Sequence, residues 1–199
     1  MEIMFIRKLL VGAIASTIAC SSFAEDSGFS YTSIGLGYQT VEIVDEEFSG
    51  FGLSGSVALN ETAFLIAGYS LIDSDDEYAA DSGTDIIKIT QYSAGIGLHA
   101  PISENVDIVT SFLHASSELE FSNISEDGNG YLINLALRGK PTDTIEVSGS
   151  INYANIEDED DTGYSIGARL FLQPKVSLDL GYSIAEDVDA FFAGFSIDF

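Results

Sequence analysis

The chain has 199 residues, enough for one domain of ordinary size. It carries 32 acidic and only 7 basic residues. This excludes a nucleic-acid partner, because binding phosphates requires a concentration of Lys and Arg. Thirteen Phe and nine Tyr exclude a disordered acidic chain, since these side chains must be buried in protein or in lipid.

The pattern of the N-terminal residues predicts an export signal. Arg7 and Lys8 precede the apolar run 9–19, which is too short to cross a bilayer as a helix. Small residues at Ser22 and Ala24 predict cleavage after Ala24. The domains are therefore a signal peptide, 1–24, and one mature domain, 25–199. Removing Glu2, Arg7 and Lys8 leaves 31 acidic and 5 basic residues in the mature domain.

Cys20 is the only cysteine, so an intrachain disulfide is excluded. A lipoprotein acylated at Cys20 is the alternative interpretation of the N-terminus. Ala19 suits it, but Thr17 stands where such signals usually carry Leu.

In the mature domain, apolar residues alternate with small or polar residues, with a period of two. Ile34, Leu36 and Tyr38 share one face of a segment whose other face carries Gly35 and Gly37. Similar alternation recurs along most of the domain and indicates strands with one apolar face. We predict ten strands, at 29–40, 49–59, 63–72, 86–100, 106–116, 130–139, 145–156, 163–173, 176–185 and 190–199. Most have about the ten residues that a tilted strand needs to cross a bilayer.

The connections fall alternately into two chemical classes. One class is short, at 60–62, 101–105, 140–144 and 173–175. The other is mostly longer and acidic, at 41–48, 73–85, 117–129, 157–162 and 186–189. The second class holds 22 of the 31 mature acidic residues and no basic ones. A soluble β-sandwich has no reason to segregate its loops in this way. The pattern predicts an all-β, transmembrane, antiparallel up-and-down barrel with short periplasmic turns and acidic external loops.

The last strand places Phe195, Ile197 and Phe199 on one face and ends at Phe199. This resembles the C-terminal signature of bacterial outer-membrane proteins, which implies recognition by the barrel-assembly machinery. The mature domain resembles the small outer-membrane barrels of the porin family grouped with OmpX, Ail and the transmembrane domain of OmpA. Those barrels have eight strands, so eight is the alternative to ten. The resemblance implies the outer membrane of a Gram-negative bacterium, with membrane lipid and lipopolysaccharide as partners.

Several charged residues alternate with the apolar positions of their strands and are therefore expected to face the barrel interior. Arg138 and Glu146 lie on strands joined by a short turn and are expected to pair. Arg169, Asp179 and Asp198 also point inward, and buried charges are expected to compensate one another. The network is interpreted as structural, with a selectivity filter or gate as the alternative.

The acidic loops contain half of a calcium motif. Asp158, Asp160, Thr162 and Gly163 match the start of such a loop, but Arg169 stands where a bidentate Glu is required. No metal site or cofactor is therefore assigned. Calcium or magnesium between the loops and lipopolysaccharide is the alternative to simply solvated carboxylates.

An enzymatic role has one slight signal. His114-Ala115-Ser116 resembles the His-x-Ser of outer-membrane lipid A deacylases, with Glu118, Glu120 or Glu126 as the third member. A rim His in an aromatic girdle is the simpler interpretation. An omptin-like protease needs a larger chain, so it is set aside. The sequence therefore predicts a non-enzymatic barrel with a surface-structural or interaction role and an unidentified extracellular ligand. A narrow porin-like channel is the alternative, and a lipid A-modifying hydrolase a remote one.

Overall fold

The computed structural model describes residues 28–43, 46–80, 83–122, 124–157 and 159–199. The predicted signal peptide and Cys20 lie outside the described residues. Among these residues no helix is long and apolar enough to cross a membrane. The strands are β1 (Ser33–Ile43), β2 (Glu46–Ala58), β3 (Ala63–Ser74), β4 (Tyr78–Ala80), β5 (Gly83–Asp85), β6 (Lys88–Ser103), β7 (Val106–Phe121), β8 (Ile124–Thr142), β9 (Ile145–Ile156), β10 (Glu159–Gln173), β11 (Val176–Ala185) and β12 (Val188–Asp198).

Ten of these strands close into a barrel in the order β1-β2-β3-β6-β7-β8-β9-β10-β11-β12, and β12 pairs with β1. All neighbours are antiparallel. The prediction of a ten-stranded up-and-down barrel is confirmed. The short strands β4 and β5 pair only with each other, as a hairpin in the connection between β3 and β6 that the sequence pattern did not predict.

Several predicted boundaries were wrong. Strand β1 begins at Ser33 rather than at residue 29, and β10 begins at Glu159, inside the predicted loop 157–162. Strands β7 and β8 run through the predicted loop 117–129, with Glu120 paired to Ser125 near their tip. The acidic side chains did not prevent pairing, because they are solvated while the backbone continues the ladder.

The barrel has two distinguishable ends. Ser33 and Asp198 face each other at the end that also carries the turns 104–105, 143–144 and 174–175. We call this the terminal end. The strand ends at Ile43, Ser74, Phe121, Ile156 and Ala185 lie at the opposite end, which we call the acidic end.

The two faces of the wall differ as the alternation predicted. Ile34, Leu36 and Tyr38 are 44–58% exposed on the outer face, while Gly35 and Gly37 between them point inward. Seven of the nine Tyr side chains also lie on the outer face, at Tyr38, Tyr69, Tyr92, Tyr131, Tyr153, Tyr164 and Tyr182. An apolar outer wall with aromatic residues is typical of barrels that face lipid.

Candidate functional site in the barrel lumen

Residues 28–32 cross the mouth of the barrel at the terminal end, and we call this segment the crossbar. On one side, Lys140 Nζ, just beyond Arg138 on β8, donates to the Gly28 carbonyl at 2.7 Å. On the other, the Phe199 N–H donates to the Thr32 carbonyl at 3.1 Å, where β1 begins. Strands β1 and β8 are five steps apart in a ring of ten, so the crossbar joins opposite walls. It starts at Gly28 with φ +76°, a left-handed conformation that glycine adopts without steric cost.

Tyr31 fills the mouth from the crossbar. It is 1% exposed, and its ring stacks on His99 with 3.7 Å between centroids. Phe64 lies on another side, with 4.8 Å between ring centroids. The Tyr31 hydroxyl donates to Asp107 Oδ2 at 3.1 Å. Burial raises the pKa of Tyr31, so the hydroxyl stays protonated and keeps its donor role.

Arg138 connects the crossbar to the predicted charge network. Its guanidinium carbon lies 4.9 Å from the Phe29 ring centroid and 5.4 Å from that of Tyr31. Arg138 Nε donates to Glu146 Oε1 at 2.8 Å. Both charged side chains are nearly inaccessible to solvent. The structure thus brings together the pair that the strand parity predicted, and adds an aromatic contact that the sequence analysis missed.

A second buried ion pair lies beside the first. Arg169 Nε donates to Asp179 Oδ1 at 2.7 Å, and Arg169 Nη2 to Asp179 Oδ2 at 3.3 Å. These residues are direct partners across β10 and β11, and Glu146 is the direct partner of Arg169 on β9. Ser177 and Ser196 also donate to Asp179. The fork geometry gives charge-assisted hydrogen bonds and fixes both side chains.

Asp198 completes this group, with Oδ1 3.9 Å from Arg169 Nη1. From β8 to β11, inward guanidinium groups and carboxylates therefore alternate across neighbouring strands, and Asp198 on β12 also faces Arg169. Such alternation lowers the cost of burying each charge, because every charge faces one of opposite sign.

The acidic end of the lumen is apolar. We call this cluster the apolar plug, formed by Val41, Ile43, Phe48, Ile72, Ile87, Ile89, Leu119, Val188 and Ala190. Phe48, Ile72 and Ile89 are at most 1% exposed. These bulky inward side chains narrow the lumen and displace water from this level.

Tyr78 of the short hairpin packs against the apolar plug together with Phe121. Their rings meet edge to face with 6.2 Å between centroids. The Tyr78 hydroxyl donates to the Glu46 carboxylate. Burial and this hydrogen bond raise the pKa of Tyr78, so the hydroxyl remains a donor at neutral pH. The hairpin is thus fastened over the end of the barrel.

A polar level lies between the crossbar and the apolar plug. Gln39, Gln91 and Ser117 point inward and are at most 2% exposed. Ser70 Oγ donates to Gln91 Oε1 at 2.9 Å. Within the described part of the chain, Gln39 Nε2, Gln91 Nε2 and Ser117 Oγ have no hydrogen-bond partner. This level can therefore hold groups that accept hydrogen bonds, such as water.

The candidate catalytic residues are not brought together. His114 is on the outer face of β7 and so is Ser116, two residues further along. Glu126 is the direct partner of Leu119, which points inward. Glu118 shares the outer face with His114, and its Oε1 accepts from Ser125 Oγ at 3.3 Å. The His–Ser–Glu hypothesis therefore lacks Glu126 as a third member.

The metal candidates also stay apart. Asp160 and Thr162 lie on the outer face of β10, whose extended backbone separates them by about 6–7 Å. Asp158 lies outside the described residues. Among the residues that are described, no group of three His, Cys, Asp or Glu could hold a metal ion.

The predicted assembly signal lies on the outer wall. Phe195, Ile197 and Phe199 are 47–68% exposed. They form one apolar stripe down the last strand, at the seam where β12 pairs with β1.

Comparison with known structures finds barrels of related fold. The KdgM porin in complex with disordered oligogalacturonate has a TM-score of 0.53 at 9% identity, over 84% of this chain and 99% of that one. The NanC porin has a TM-score of 0.52 at 6% identity, over 83% and 100%. The Ail protein of Yersinia pestis has a TM-score of 0.39 at 16% identity, over 84% and 97%. At these identities the likeness to the two porins shows the fold alone.

Among curated protein sequences, none matches the chain. The sequence profile of the outer membrane protein beta-barrel domain matches residues 9–191. That match covers most of the chain and agrees with the closed ten-stranded barrel and its apolar outer wall. The chain belongs to the family of outer-membrane β-barrel domain proteins.

Proposed function

We propose that the protein is a closed outer-membrane barrel with a surface-structural or interaction role, and that its acidic end faces the cell exterior. The observation that carries this proposal is the filling of the lumen at two separate levels. The crossbar and its aromatic side chains fill one mouth, and the apolar plug fills the other.

The crossbar contacts several strands of the barrel. Tyr31 is held by His99, Phe64 and Asp107, and Phe29 by Arg138. Opening this mouth would require breaking these contacts and the hydrogen bond from Lys140 to Gly28. A segment with so many buried contacts has a low population of open states.

The orientation follows from the connections. In outer-membrane barrels the short turns and chain termini are periplasmic, and the longer loops are external. The turns at the terminal end have two to four residues, whereas the acidic end carries the long connection 75–87 with its β4–β5 hairpin, which supports an external acidic end. Carboxylates there lie next to anionic lipopolysaccharide, and calcium or magnesium would relieve the repulsion by holding oxygens from both.

Three partners follow from the same placement. Membrane lipid and lipopolysaccharide surround the apolar wall. The exposed stripe ending in Phe199 is the element that the barrel-assembly machinery would recognise. Among the described residues the candidate catalytic side chains are not brought together, which supports a role without enzymatic activity or a cofactor.

Single-channel conductance of the purified mature protein in planar bilayers tests the closed state. We expect no sustained discrete steps, since both levels of the lumen are filled. Flotation with liposomes and protease protection would establish that the silent protein is inserted. A double variant, Phe29→Gly with Tyr31→Gly, removes the aromatic side chains of the crossbar but leaves the apolar plug. Sustained steps from the unmodified protein would contradict the proposal and favour a narrow channel.

A further inference from the structure

A groove runs across the outer wall where the lipid-facing side chains are small. Gly55, Ala67 and Ala94 are direct partners in neighbouring strands β2, β3 and β6, and all three face outward. The space above them measures about 850 Å³ and is lined almost entirely by apolar atoms. We call it the lipid-facing groove.

Larger side chains form both walls of this groove. Leu53 and Tyr69 stand on the side of the acidic end, and Val57, Leu65 and Ile96 on the other. They are 38–54% exposed, so they project from the barrel. The cross-strand row of Gly55, Ala67 and Ala94 has no bulky side chains, whereas the outward rows on either side do. Those two flanking rows lie four residues apart along each strand, a distance of roughly 14 Å.

Small outward residues elsewhere on the barrel do not form such a row. Ala168 is flanked by its partners Val147 and Leu180, and Ala193 by Leu180 and Tyr38. These positions match the groove floor in chemistry and exposure to lipid, but each is isolated between bulky partners. They provide matched controls.

The two ends of the groove differ. Ile34 is the partner of Gly55 at one end, near the start of β1. His114 is the partner of Ala94 at the other, and Tyr131 is the next partner beyond His114. Four strand-to-strand steps separate Ile34 from His114, a distance of about 19 Å. Because barrel strands are tilted, this row rises obliquely from the terminal side towards the acidic end.

We propose that the lipid-facing groove binds one acyl chain of lipopolysaccharide, with the ester or amide carbonyl of that chain beside His114. The groove continues the lipid-facing wall, so its surroundings are acyl chains. His114 lies among the outward Tyr residues, the level at which lipid head groups meet the hydrocarbon. An imidazole N–H there can donate to a carbonyl, while the apolar floor accepts the chain.

The choice of lipopolysaccharide rests on the proposed function, because it requires the acidic end to be external. The polar end of the groove then lies in the outer leaflet. A second copy of this chain is a poorer occupant, since a stable interface buries about 800 Å² on each partner and the groove is a single row wide.

Native mass spectrometry of protein extracted from outer membranes in mild detergent tests the proposal. The filled variant, Ala67→Leu with Ala94→Leu, blocks the floor. The control variant, Ala168→Leu with Ala193→Leu, adds the same side chains outside the groove. We expect bound lipopolysaccharide on the unmodified and control proteins, and about tenfold less on the filled variant, equivalent to about 1.4 kcal/mol. Unboiled gels would verify that each variant is assembled.

Several outcomes would overturn the assignment. Equal lipopolysaccharide on all three proteins would remove the groove as a site and leave the closed barrel untouched. Phospholipid retained in its place, and lost from the filled variant, would show that the orientation is inverted. A dimer that disappears only in the filled variant would identify a second copy as the occupant. The conductance experiment does not depend on any of these results.

The polar end has its own test. His114→Leu should lower lipopolysaccharide retention while His114→Gln, which keeps an N–H donor, should lower it less. Equal retention by both variants and the unmodified protein would overturn the placement of the carbonyl beside His114.

Discussion

The ion pair between Arg138 and Glu146 should be strongly coupled. Both side chains are nearly inaccessible to solvent, and Arg138 Nε lies 2.8 Å from Glu146 Oε1. Removing one partner leaves a buried charge uncompensated, which costs about 3–5 kcal/mol. Arg138→Met keeps the contact with the aromatic crossbar through its stem, and Glu146→Gln keeps the shape of the carboxylate, so each change removes mainly the charge.

The double variant should lose less stability than the two single variants together. We expect an interaction free energy of about 0.5–3 kcal/mol, the range for residues in contact. Urea unfolding in detergent micelles, followed by circular dichroism, would measure it, because the sequence contains no Trp for fluorescence. A parallel cycle of Arg138→Met with Gln91→Leu, which lie on β8 and β6 at different levels of the lumen, should be additive. Strict additivity for Arg138 and Glu146 would show that the pair is not an energetic unit and refute the reasoning.

Three further perturbations test other parts of the barrel. Tyr31→Ala should cost about 3–5 kcal/mol of unfolding free energy by emptying a filled site, and Tyr31→Phe about 1–3 kcal/mol by removing the donor to Asp107, both measured by urea unfolding. No measurable cost for Tyr31→Phe would mean that the hydroxyl contributes nothing. Deleting Phe199 should lower the assembled fraction more than synthesis, as judged by heat-modifiable mobility on unboiled gels, and unchanged mobility would count against an assembly role. Millimolar calcium should slow proteolysis of the β7–β8 tip more than sodium at matched ionic strength, whereas equal protection would leave only general screening.

Alternation along the sequence predicted the wall of the barrel well. Each strand has one face in lipid, so the outward positions of β1, from Ile34 to Tyr38, could be assigned from period two alone. The same parity placed Arg138, Glu146, Arg169 and Asp179 inside, where the structure pairs them. Strand ends were predicted less well, because pairing beyond the membrane depends on the partner strand and leaves no hydrophobic signal.

The filling of the lumen was missed although a signal for it exists. Phe29 and Tyr31 share parity with the inward Gly35 and Gly37, and Ile72 shares parity with the inward Ser70. A bulky apolar side chain at an inward position has no lipid to face, so it must pack inside the barrel. The prediction of a first strand over residues 29–40 hid this signal, because Phe29 and Tyr31 were counted as part of the wall.

These bulky side chains at inward positions explain how a ten-stranded wall can enclose a filled interior. Side chains from eight strands are just able to fill a barrel, so two more strands leave space that small inward residues do not occupy. Gly52 and Ser70 line one part of the lumen with small groups, which cannot reach across it. Bulky filling comes from the crossbar at one end, from the apolar plug at the other, and from Leu113, Leu132 and Ile156 on the inner face of β7–β9. The Gln39 and Gln91 amide groups, which have buried donors without a partner among the described residues, lie between the crossbar and the apolar plug, where water can satisfy them without a continuous path through the membrane.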